Sequence, residues 1–324
     1  MNKLILTSLL SINITMASER FTNTNNIAYD KSFKDLMKWT FTSKNPKKVQ
    51  IETSTQWQEL DSNSKDYAVW IGHATYLINS GGISVLTDPV FSKRSSPLRF
   101  TGPKRLIPPA ILLEELPKID VITVSHNHYD HLDIVSLKKL HKLNPEAKFL
   151  VPSGDKRLLV KSGIENVQEF LWWENIEIED AIFTFTPVQH WSARGLRDRN
   201  KSLWGGWFMQ LPEYILYHAG DTGYSRDFAE TKLRLGSPDY ALIPIGAYDP
   251  QWFMSSSHVT PLEAVKIAQD LGAKQSFAMH WGTFLLTDEE VLEPPFLLRK
   301  AMDSLNLKSE FFKVLKPGEI ARLN

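Results

Sequence analysis

Residues 126–131 read His-Asn-His-Tyr-Asp-His, and this hexapeptide limits what the chain can become more than any other stretch of it. Three imidazoles and a carboxylate so close together are ligand chemistry, since packing alone has no use for them in a single turn. The preceding run, residues 119–125, is short, β-branched and mostly apolar, which predicts a buried strand. After it, Leu132, Val135, Leu137, Leu140 and Leu143 recur at roughly helical spacing, with Asp133 near the start. The hexapeptide therefore falls on a strand-to-helix turn. In an extended segment His126 and His128 share one side, and the following turn brings Asp130 and His131 round to a second centre. Imidazole and carboxylate without thiolate suit zinc, with iron or manganese as alternatives.

Three more candidate ligands lie downstream, each where an apolar run gives way to a turn. His190 closes residues 182–189, which alternate apolar and polar side chains. Asp221 sits in Ala219-Gly220-Asp221-Thr222-Gly223 after the apolar Tyr214-Ile215-Leu216-Tyr217, and His280 follows Ser276-Phe277-Ala278-Met279 and precedes Trp281-Gly282. Any one of them alone reads as a structural residue. Together they complete two coordination spheres.

At 324 residues the chain suffices for one large core, and no repeat or Gly/Ser linker divides it. Residues 30–324 are read as one domain. Residues 1–29 are read as a leader, either a signal peptide, with an apolar run from Leu4 to Ile12 and small residues up to Ala17, or a disordered segment. Localisation is thus cytoplasmic or exported, with no transmembrane helix. The 37 basic and 37 acidic residues cancel, which gives no field for nucleic acid. The chain has no cysteine, which removes disulfides and thiolate ligands.

Strands are expected at residues 68–71, 76–79 and 83–86, the last ended by Pro89. Residues 156–161 are a helix candidate. Thr260 as N-cap, Pro261 at the first helical position, Glu263 completing a capping box and Gly272 at the stop mark a second helix. From residues alone the class is α/β or α+β. His141, beside lysines, reads as a solvated helix residue. His73 either approaches the metals or bonds to backbone.

Longer strings then acquire meaning. Gly72-His73-Ala74-Thr75, Leu86-Thr87-Asp88-Pro89, Gly102-Pro103-Lys104-Arg105, Gln189-His190-Trp191, Gly220-Asp221-Thr222-Gly223-Tyr224 and His280-Trp281-Gly282-Thr283-Phe284 surround the hexapeptide. This set resembles the metallo-β-lactamase superfamily, and within it the N-acylphosphatidylethanolamine-hydrolysing phospholipase D family. The resemblance implies an αββα four-layer sandwich and two zinc ions per chain. It assigns His126, His128 and His190 to the first metal, Asp130, His131 and His280 to the second, and Asp221 to a bridge between them. It makes Asp88 the carboxylate that orients a ligand histidine, and His258 a contact to a substrate phosphate, although Ser257 stands where the family usually has glutamine; Tyr129, inside the hexapeptide, can present its hydroxyl to the same phosphate. The implied activity is a phospholipase D-type phosphodiesterase releasing an N-acylethanolamine and a phosphatidic acid, acting at a membrane surface as a homodimer. A generic metal-dependent hydrolase and a non-catalytic metal-binding protein are the alternatives. Some of the ten tryptophans and seventeen phenylalanines would line an acyl-chain groove, while most serve the core.

Overall fold

Residues 20–27, 31–44, 46–61, 63–98 and 100–324 are described by a computed structural model. The leader reading of residues 1–19 lies outside the described residues. One seven-stranded sheet contains β1 (Tyr67–Gly72), β2 (Thr75–Ser80), β3 (Ile83–Thr87), β4 (Val121–Thr123), β5 (Lys148–Pro152) and β6 (Val167–Phe170), in that order, with β14 (Ile320–Arg322) beside β1. The other sheet runs β7 (Asn175–Ile178), β8 (Ala181–Thr186), β9 (Gly206–Gln210), β10 (Ile215–His218), β11 (Tyr240–Pro244), β12 (Gln275–Met279) and β13 (Phe312–Lys313). Each sheet has an antiparallel part and a parallel part: β3 to β6 pair parallel in the first, β10 to β13 in the second.

The period of two along a strand assigns side chains to layers. Trp70 and Val121 face the core shared by the two sheets, where Phe183, Phe185, Trp207 and Tyr217 meet them. Their neighbours Val69, Ile71 and Ile122 face the other way, onto Leu137 and Leu140 of α2 (Ile134–Leu143) and Leu159 of α3 (Lys156–Lys161). The second sheet is covered outside by α6 (Pro261–Leu271) and α7 (Glu293–Ser304), which bury Val265, Ile267, Leu298 and Met302. Helix, sheet, sheet, helix is the αββα sandwich expected. The remaining helices are α1 (Phe33–Thr42), α4 (Asp227–Leu235) and α5 (Gln251–Met254).

Local signals held well. In α6 the Thr260 and Glu263 side chains and backbones form the capping box, and Gly272 closes the helix at φ 65° in the left-handed region. Helix α2 starts at Ile134, two residues after Leu132, because Asp133 is its N-cap, its side chain accepting from Val135 N. Two expectations are corrected. His141 is half-buried against Phe149, with ring centroids 5.8 Å apart, because α2 lies flat on the sheet. Residues 20–27, counted above with the leader, pack on the domain: Asn23 is buried, and Phe21 N donates to Asn200 O. Among the described residues no helix is long and apolar enough to cross a membrane.

Candidate metal centre

Every predicted ligand leaves the carboxyl end of a strand on the same rim of the sandwich. The hexapeptide follows β4, His190 follows β8, Asp221 follows β10 and His280 follows β12 directly. Parallel pairing of β10, β11 and β12 aligns their ends, which sets Asp221 and His280 side by side.

In the first group, His128 Nδ1 lies 2.9 Å from His126 Nε2 and 3.2 Å from His190 Nε2. These three rings, in the extended pair and the β8 loop, could hold one ion. In the second group, Asp130 Oδ2 lies 3.7 Å from His131 Nε2 and 3.5 Å from His280 Nε2. Asp221 stands between the groups, its Oδ2 3.1 Å from His131 Nε2 and 3.9 Å from His126 Nε2, its Oδ1 3.0 Å from His280 Nε2. His131 Nε2, His280 Nε2 and Asp221 Oδ1 are buried and lack hydrogen-bond geometry despite these short separations. Buried polar atoms are normally satisfied, so donor atoms that crowd together without bonding one another fit a shared cation.

A second layer of contacts fixes the candidate ligands. Asp88, fully buried, accepts from Ser125 N (2.7 Å), Ser125 Oγ (2.6 Å) and His131 Nδ1 (2.7 Å). Asp88 thus sits on the back of the candidate ligand His131, leaving His131 Nε2 to face Asp221. His218, buried behind it with Nε2 3.8 Å from Asp88, is packed beside the Asp221 loop. His73 takes both of its alternatives at once: its Nε2 lies 3.0 Å from Asp130 Oδ2, and its carbonyl accepts from His280 N. His73, Asp88 and His280 all adopt positive φ, at 56°, 35° and 61°, a concentration of backbone strain usual where geometry serves a site. Gly220 has φ 62°, and a Cβ there would meet Ser125 Cβ at 2.6 Å, so the turn into Asp221 admits only glycine.

Burial pushes the His126 and His190 imidazoles well below the ordinary histidine range, aided by neighbouring imidazoles, and lowers His128 to about 4. His131 behaves oppositely. Burial opposes its charge, but the Asp221 and Asp130 carboxylates outweigh burial and hold it well above its usual value, and the same balance raises His280 to about 9. Asp130 and Asp221, which burial alone would raise, are held well below the carboxylate range by these same histidines. The second group thus attracts positive charge strongly, which a divalent cation would supply.

A cavity of about 630 Å³ opens onto Asp130, Asp221, His128 and His258, with Leu36, Trp39, Phe253 and Met254 on its apolar wall. His258 Nδ1 is 3.9 Å from Asp221 Oδ2, which places this histidine where metal centre and cavity meet. Tyr129 also lines the cavity, but its hydroxyl proton is not free for a phosphate as expected: it donates to Arg194 O at 2.8 Å. Arg194 is a residue that sequence reasoning missed. Its guanidinium covers the Tyr129 ring at 4.0 Å, and its Nη1 donates to Asn127 O and Leu132 O, clamping the ends of the hexapeptide loop. A basic residue soon after Gln189-His190-Trp191 was the only available signal. The cavity wall from α1 was missed as well, because α1 precedes every motif.

The beta-lactamase superfamily domain matches residues 84–281. The N-acyl-phosphatidylethanolamine-hydrolyzing phospholipase D 1 of Caenorhabditis elegans is 41% identical over 274 residues, covering 81% of this chain and 77% of that protein. This chain belongs to that family. The mitochondrial N-acyl-phosphatidylethanolamine-hydrolyzing phospholipase D of Saccharomyces cerevisiae is 40% identical over 70% of this chain and 50% of its own length. A possible metal-dependent hydrolase from Veillonella parvula shares the fold, with a TM-score of 0.65 at 19% identity over 80% of this chain and 100% of that one. The chain is a metal-dependent hydrolase of the superfamily. Its family's strings map onto the rim: Gly72-His73-Ala74-Thr75 delivers His73 to Asp130, and Trp281-Gly282-Thr283 delivers Thr283, whose Oγ1 accepts from His73 N at 2.7 Å.

Proposed function

We propose that this protein hydrolyses the phosphodiester of N-acylated phosphoethanolamine lipids in the manner of a phospholipase D. Water adds to phosphorus, the bond from phosphorus to the ethanolamide oxygen breaks, and that oxygen leaves with a proton as N-acylethanolamine, with phosphatidic acid as the second product. The observation that carries this reading is the position of the ligand set at the floor of a cavity with one polar end and one apolar wall. His126, His128 and His190 would hold one zinc ion, Asp130, His131 and His280 another, with Asp221 shared. These residues would hold ions whose chemistry, when bound, would be an activated water near neutral pH and stabilisation of charge on the phosphoryl oxygens. The protein's own part is placement. Asp88 and His73 hold His131 and Asp130 in orientation, and His258 at the floor can bond a phosphoryl oxygen. Leu36, Trp39, Phe253 and Met254 give an acyl chain an apolar surface and keep bulk water from the polar end. The nematode and yeast relatives, whose names state this lipid hydrolysis, support the substrate class.

The test is a substrate panel under identical metal loading: head-group release from N-acylphosphatidylethanolamine in vesicles, hydrolysis of a soluble phosphodiester, and opening of a lactone. The expected result is a kcat/KM for the lipid far above both others. Equal or better turnover of the lactone or the soluble diester would replace this reading with that of a general metal-dependent hydrolase. Whether the protein works as a homodimer at a membrane surface is a further part of this proposal, read out by light scattering and by co-sedimentation with the vesicles.

A further inference from the structure

The β8 strand ends at Thr186, so His190 lies four residues beyond it and its backbone needs partners from elsewhere. Gln189 finds them in the Asp221 loop, its N–H donating to Thr222 Oγ1 and its carbonyl accepting from Gly223 N. The N–H of His190 donates to Asn23 Oδ1 at 3.0 Å. Asn23 is buried (5% exposed), and its Nδ2 donates to Ile27 O at 2.8 Å. An amide is the short side chain that can accept and donate in this way at once. The strap that carries it is tied down on both sides: Phe21 and Asn200 exchange hydrogen bonds, and Asn25 Nδ2 donates to Gln189 Oε1 at 2.7 Å. Trp204 Nε1 also donates to Asn23 Oδ1, but it has Val188 O as a second acceptor. Loss of the Asn23 amide therefore leaves the buried His190 N–H without its acceptor, whereas Ile27 O, which also loses its Asn23 donor, belongs to an exposed residue that water can reach.

We propose that Asn23 is a positioning residue of the metal centre, and that the N-terminal strap of residues 20–27, outside the residues matched to the superfamily domain, completes the site by fixing His190. The inference rests on the reading of His190 as a metal ligand. With Asn23 on the backbone N–H and Ser257 O 2.9 Å from ring Nδ1, His190 is held from two sides so that Nε2 faces His128. Neither contact is made by a residue of the His190 loop itself.

The experiment uses the full chain and zinc alone, with affinity read by competition against a chromogenic chelator and folding read by thermal denaturation. Asn23→Ala should weaken one zinc equivalent about 10–100-fold, the range for losing a partner of a ligand. Asn23→Asp, which keeps the acceptor, should restore most of it. Added to His190→Ala, the Asn23→Ala change should weaken zinc binding no further, because the two act through one ring. Should Asn23→Ala not fold, Asn23→Ser, whose hydroxyl is too short to reach His190 N–H, must show the same zinc loss. Unchanged zinc affinity in the folded variant, or a loss that adds fully to that of His190→Ala, overturns the proposal and leaves Asn23 a packing residue. If instead His190→Ala itself binds zinc like the wild type, the ligand reading has failed, and the proposal fails with it for that separate reason.

Discussion

The His126–His128–His190 group and the Asp130–His131–His280 group lie on either side of Asp221, yet burial has opposite consequences for them. In the first, no carboxylate belongs to the group, and desolvation leaves three imidazoles neutral with lone pairs to offer. In the second, Asp130, Asp221 and the Asp88 behind His131 outweigh desolvation, and the histidines favour their protonated form. One half is prepared for a cation by removing charge, the other by concentrating negative charge. The halves should therefore respond differently to mutation and to pH.

Asp221→Asn should have the largest effect, because its carboxylate stands between the two halves. Losing a shared ligand must cost at least as much as losing a ligand's partner, so kcat/KM should fall by more than about a hundredfold, with metal lost from both groups by elemental analysis. Retention of two equivalents would show that the halves bind independently of this carboxylate. Next come two histidines only a short distance apart. His280→Ala should lose the second metal and turnover together, whereas His258→Ala should keep its metal. The latter loses one hydrogen bond to a charged group, worth about 1.5–3 kcal/mol, or roughly ten- to a hundred-and-fifty-fold in kcat/KM. A reversed outcome would exchange their roles.

Asp88→Asn should weaken metal binding about 10–100-fold at the second group alone; equal weakening of both groups would mean that Asp88 supports the rim as a whole through Ser125. The smallest effect is one of slope. A cation entering the second group must displace protons from His131 and His280, so its apparent affinity should rise with pH at least as far as about 9, the value to which His280 is pushed, His131 being held well above its usual range. The rise should be about tenfold per pH unit for each proton released. The first group should be flat above about 4, where His128 has already lost its proton. The same sign applies to stability without metal: a raised histidine favours the folded state below its unfolded value of 6.5, and that contribution is lost as pH rises through about 9. Calorimetry in buffers of different ionisation enthalpy measures the protons released, and identical release by the two groups would abolish the distinction.

Much of this centre was legible in the chain because it is local. Four candidate ligands share one hexapeptide, and strand-ending turns mark the others, so spacing and apolar runs singled out His126, His128, Asp130, His131, His190, Asp221 and His280, which the fold brings together. The α6 helix was legible for the same reason, since Thr260, Pro261, Glu263 and Gly272 interact only with neighbours in sequence. Residues whose role depends on a distant partner were hidden. Tyr129 sits inside the hexapeptide, yet Arg194, 65 residues away, takes its hydroxyl proton. His73 carried no sign of which of its two readings applied until Asp130, 57 residues away, was placed against it. Asn23 was counted with a leader because nothing within its own segment shows that His190, 167 residues on, needs an acceptor. Sequence by itself determined which donor atoms exist and which strand ends carry them. Tertiary structure alone decided their charge states and orientation, because desolvation and hydrogen bonding at this rim depend on chain segments that meet only when the two sheets close.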